Sequence, residues 1–132
     1  MKPIVLTLLL AAAAWFVGCT QPVKTQGGER IEAVYSGRTL SARLPGSVSV
    51  QAFAAALDKV LRDRGYLVEK TSTTADISTT VARAPRRDNF PRITITARTG
   101  ADATVVTLVT EPFGDQEQCR SILDAVLREL GL

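Results

Sequence analysis

The stretch "RITITARTGADATVVTLVT", residues 92–110, decides the fold. Ile93, Ile95 and Ala97 alternate with Thr94, Thr96 and Arg98. A period of two is the pattern of a strand with one dry face and one wet face. The β-branched residues are stiff at their first side-chain torsion and suit that extended backbone. "TGAD" (99–102) makes a short turn, and "ATVVTLVT" (103–110) is a second strand, apolar enough to lie centrally in a sheet.

Working outward, "YLVEKTSTTADISTTVARA" (66–84) gives two further strands. Tyr66 and Val68 alternate with polar residues, as do Ile77, Thr79 and Val81, with a break near Thr74-Ala75-Asp76. Upstream, "SVSVQAFAAALDKVLRDRG" (47–65) places Phe53, Leu57, Val60 and Leu61 on one helical face. Ser47 or Ser49 caps its start and Gly65 its end. Before it, "RIEAVYSGRTLSARL" (30–44) alternates twice around Ser36-Gly37 and predicts a hairpin. After residue 110, "FGDQEQCRSILDAVLREL" (113–130) predicts a second helix, capped by Asp115 with Gln118 completing a capping box, and with Cys119, Ile122, Leu123, Val126 and Leu130 on one face. The order is strands, helix, four strands, helix. This is an α+β two-layer sandwich, an antiparallel sheet of about five to six strands with two helices on one face.

Composition excludes more than it assigns. The 132 residues contain no histidine, which removes Ser-His-Asp and Cys-His catalysis and the usual zinc sites. Aromatic residues are 5%, so no stacking platform for sugars or bases is evident. The formal charge of +3 is too mild to argue for nucleic acid. No phosphate-cradling glycine loop and no metal-ligand spacing is present, so neither metal nor cofactor is expected.

The amino-terminal segment has a different character. Met1-Lys2-Pro3 precedes the apolar run "IVLTLLLAAAAWFV" (4–17), which is followed by Gly18 and Cys19. A basic start, a short apolar core and a small residue at the break describe a signal peptide, residues 1–18. A permanent span needs about 20 apolar residues. Residues 19–29, continuing as "TQPVKTQGGE" (20–29), read as a flexible tether, and residues 30–132 as a single domain.

Phe16-Val17-Gly18-Cys19 resembles the lipobox of bacterial lipoproteins. The resemblance implies that Cys19 becomes the first mature residue and carries a covalent lipid. Two or more acyl chains give stable anchoring where one is marginal. By resemblance to enterobacterial sorting rules, a residue other than Asp at Thr20 favours the outer membrane, with the domain facing the periplasm. The mature chain, through "DRGYLVEK" (63–70) and "VVTLVTEPFGDQEQCRSILDAVLREL" (105–130), also resembles a family of small bacterial lipoproteins of unknown function. That family brings a fold and an anchor but no catalytic residues.

Four features are candidates for function. Arg83, Arg86, Arg87 and Arg92 form an arginine-rich loop suited to an anionic lipid or an acidic envelope partner, or else to keeping a sheet edge solvated. The Phe113-Gly114-Asp115 turn is a recognition motif or, as the pattern favours, a mechanical one. In the mechanical reading Gly takes an unusual backbone angle, Asp caps the helix and Phe packs beneath. Cys119, on an apolar helix face, reads as a small buried hydrophobe more readily than as a redox thiol. Thr94, Thr96 and Thr79 mark the wet face of the sheet. The expectation is a membrane-anchored envelope lipoprotein with a non-enzymatic binding or structural role. The alternative is a carrier that holds a small apolar ligand or lipid between sheet and helix, lined by Ile93, Ile95 and Phe53.

Overall fold

The computed structural model describes residues 23–85 and 92–132. Its elements are β1 (Val23–Gln26), β2 (Ile31–Ser36), β3 (Thr39–Pro45), α1 (Val50–Asp63), β4 (Leu67–Thr73), β5 (Ile77–Arg83), β6 (Arg92–Thr99), β7 (Ala103–Glu111) and α2 (Gln116–Glu129). The seven strands form one antiparallel sheet in the order β1-β2-β3-β7-β6-β5-β4. The architecture is α+β, as the patterning predicts, with one strand more than the expected five to six. β7, read as central, is the fourth of the seven strands.

The extra strand is β1, whose residues Val-Lys-Thr-Gln the composition assigns to the tether. Its side chains are exposed until Gln26, so no apolar alternation announces it. It is held from the far end of the chain instead. Gln26 Nε2 donates to the carbonyl of Arg120 over 2.7 Å, the Gly27 N–H to Asp124 over 3.2 Å, and the Gly28 N–H to the Leu132 carbonyl over 3.1 Å. The sheet therefore already includes Val23–Gln26, ahead of residue 30. The signal segment, Cys19 and the rest of the tether lie outside the described residues.

Both helices pack on one face of the sheet and against each other. α1 covers β4, β5 and β6, and α2 covers β1, β3 and β7. Ser49 caps α1 by accepting from the Ala52 N–H at 3.0 Å, and Gly65, with φ of 77°, turns the chain into β4. Phe53, Leu57, Val60 and Leu61 are buried as expected. Asp115 caps α2, accepting from the Gln118 N–H at 2.9 Å. The Gln118 side chain does not complete a capping box. It donates to the Tyr66 hydroxyl over 2.7 Å and accepts from Thr110 at 3.2 Å, tying the entry of α2 to the segment that leaves α1. The buried face of α2 is Cys119, Ile122, Leu123, Val126 and Leu127; Leu130 is the C-cap residue and only half-buried.

Candidate functional site

Among the described residues, one face of the sheet has no helix over it. The register aligns Ser72, Thr79, Thr96, Thr107 and Ser41 in a row across β4, β5, β6, β7 and β3. At the spacing of adjacent strands this hydroxyl row spans about 19 Å. The next row toward the β6–β7 turn places Val105 between Arg43 and Arg98, each its direct cross-strand neighbour. Neither guanidinium group has a hydrogen bond or ion pair with any described residue. A shallow groove of about 420 Å³ lies against Val34, Ser41, Arg43 and Val105, and a smaller one of about 150 Å³ against Thr96, Arg98, Val105 and Thr107. The placement of Thr94 and Thr96 on this face follows the sequence alternation, whereas Thr79 lies there with Ile77 and Val81 because β5 buries Ser78, Thr80 and Ala82 instead. The Arg43–Val105–Arg98 arrangement does not follow from alternation, because strand register is needed to bring Arg43 beside Val105.

Of the arginine-rich loop, Arg86 and Arg87 lie outside the described residues. Arg83 and Arg92 are opposed in register at the ends of β5 and β6. Both meet one carboxylate, Glu69, which sits where the pairing of β4 with β5 shifts. Arg83 Nε contacts its Oε1, and Arg92 Nε approaches its Oε2 at 3.3 Å. These two guanidinium groups are thus drawn into the sheet edge and are not presented as isolated cations.

The Phe113-Gly114-Asp115 turn departs from expectation in two ways. Phe113 does not pack beneath it and is 81% exposed. Gly114 has no positive φ, so its backbone angle is not what requires glycine. Space is what requires it: a Cβ at Gly114 would collide with the Tyr35 hydroxyl and stand 3.0 Å from the Arg38 Cα. Asp115 does cap α2, as expected. The neighbouring Tyr35 hydroxyl has its pKa raised, by burial first and then by Cys119 and Asp115, with Arg38 opposing.

Cys119 is fully buried. Burial pushes its thiol pKa up, and a hydrogen bond with Thr110, 3.4 Å away, offsets part of the rise. Such a thiol stays protonated and is a poor nucleophile. Between sheet and helices, Phe53, Ile93 and Ile95 keep at most 1% of their surface. No group of three His, Cys, Asp or Glu side chains that would hold a metal ion occurs among the described residues.

The chain matches no model of a known protein family and no curated protein.

Proposed function

We propose that this chain is an envelope lipoprotein, anchored through a covalent lipid on Cys19 and facing the periplasm from the outer membrane, with a non-enzymatic binding role. The observation that supports a binding role best is the helix-free face of the sheet. There, Arg43 and Arg98 flank Val105 beside a row of hydroxyls. Arg groups without a partner among the described residues suit planar, bidentate contact with carboxylate or phosphate groups of an acidic envelope partner. Threonine and serine hydroxyls beside them both donate and accept, so they tolerate varied polar chemistry. The carrier reading loses support because the residues that would line its cavity are closed against one another.

The test is cross-linking in intact cells, with a matched strain carrying Arg43→Ser and Arg98→Ser. Specific capture of one envelope component that disappears in the Ser strain is the expected result. Capture that is unchanged in the Ser strain contradicts the assignment of this face. Recovery of a bound apolar ligand from the folded domain would restore the carrier reading.

A further inference from the structure

Three large hydrophobic side chains stand well exposed among the described residues: Val23 at 54%, Leu67 at 63% and Phe113 at 81%. Strand register puts Leu67 and Phe113 at one end of the sheet, while Val23 lies in the row of Thr107 and Thr96, on the edge strand that runs toward that end when traced backward. Leu67 opens β4 opposite Arg83, Arg83 pairs with Arg92, and Arg92 pairs with Glu111, two residues before Phe113. Across the sheet, Val23 opens β1 opposite Val34, just short of the β2–β3 hairpin. That hairpin touches the Phe113 turn, since Arg38 Nη1 donates to the Pro112 carbonyl over 2.8 Å.

Traced backward, β1 points from Val23 toward the end that carries Phe113. Two strand spacings, roughly 10 Å, separate β1 from β3. Upstream lie Cys19 and the apolar run at residues 4–17. From Cys19 to Val23 the chain reaches at most about 14 Å. A membrane holding Cys19 is thus kept within about 14 Å of Val23, and the direction of β1 favours this end of the domain.

We infer that this end of the sheet is a bilayer-docking face and that Phe113 inserts at the headgroup boundary of the membrane that holds Cys19. The inference rests on the lipid-anchor reading above. The contact is apolar more than electrostatic. Glu69 meets both Arg83 and Arg92, and Glu111, Asp115 and Glu117 stand around the turn opposite Arg38. The described charges at this end nearly balance, so a zwitterionic surface suffices. Phe is among the residues that settle into this boundary. A contact too weak to hold a free domain is sufficient here, because a short tether makes it intramolecular at a high effective concentration.

The experiment uses the acylated mature chain carrying Phe113→Trp, reconstituted in phosphatidylcholine vesicles. Trp15 is the only tryptophan of the sequence and departs with residues 1–18, so the new indole is the sole emitter. Vesicles whose acyl chains are brominated near the headgroup should quench it about twofold and blue-shift it, as expected for an indole at the boundary. Thr96→Trp, on the middle of the helix-free face, should be unquenched. Water-like emission from the Phe113→Trp variant without quenching, on a chain whose intact mass shows acylated Cys19, overturns the docking inference and leaves the anchor reading standing. An intact mass without acyl chains defeats the anchor reading by itself. The docking inference then falls with it, because the contact needs the tether. A blue shift that requires an added envelope protein and not vesicles also overturns it.

Discussion

Arg38 and Pro112 are joined by one hydrogen bond, Nη1 to carbonyl oxygen at 2.8 Å, across 74 residues of chain. The bond closes the β2–β3 hairpin onto the turn between β7 and α2. It leaves Phe113 pointing away from the domain at the tip of that turn. Because the bond is exposed, its net contribution is about 1 kcal/mol or less. Arg38→Ala should therefore leave the melting temperature nearly unchanged while amide exchange at residues 113–115 accelerates. A cooperative loss of global stability would show that the turn is part of the core and not an appendage of it.

Gly114 tests the same junction from the other side. Gly114→Ala forces its new methyl group against the Tyr35 hydroxyl and the Arg38 backbone. Overpacking of this kind costs about 1–3 kcal/mol. Removing the hydroxyl with Tyr35→Phe in the same chain should recover part of the loss, and a double-mutant cycle in urea measures the coupling. Additive losses would place the strain elsewhere.

Two phenylalanines in one domain should behave in opposite ways. Phe53 is at the centre of the core, and Phe53→Ala should cost about 3–5 kcal/mol. Phe113 is exposed, and Phe113→Ala should stay within about 0.5 kcal/mol in solution. Chemical denaturation of both variants checks the contrast.

How much of this was legible in the sequence follows from where each signal resides. Alternation in residues 92–110, the apolar face of Phe53, Leu57, Val60 and Leu61, and the caps at Ser49 and Asp115 are local, and the structure has all of them. β1 was hidden because its stabilising partners are Arg120, Asp124 and Leu132, about a hundred residues away. Phe113 misled because an aromatic next to a capped helix usually packs, whereas here Tyr35 and Arg38 fill the space under the turn. The pairing of Arg83 and Arg92 with Glu69 needs the pairing shift in β4, which no composition announces.

Alkaline pH should weaken the fold through Cys119. Its thiol pKa is raised in the folded chain, by burial first, so the native state holds the proton more tightly than the unfolded state. The resulting stability is intact below the unfolded thiol value of about 8.5 and is lost as pH rises through the higher folded value. Tyr35 and Lys59 shift in the same direction at still higher pH. Stability measured in urea from pH 7 to 10 should therefore fall more steeply for the native sequence than for Cys119→Ala. Parallel curves would mean that the thiol does not contribute.

Glu69 sets how the two described loop arginines meet a charged surface. Glu69→Gln removes the carboxylate shared by Arg83 and Arg92. Partly exposed pairs like these contribute about 1 kcal/mol or less, so the fold should persist. Binding to anionic vesicles should strengthen at low salt, and the gain should vanish at high salt. Unchanged vesicle binding would remove these arginines from any electrostatic role at the membrane.

The most direct test of the central claim is the intact mass of the protein extracted from the cell envelope, with Cys19→Ser as the matched control. The account predicts a chain that begins at Cys19 and carries a diacylglyceryl group together with a further acyl chain, and a control that lacks them. An extracted chain that begins elsewhere, or begins at Cys19 without lipid, would contradict it.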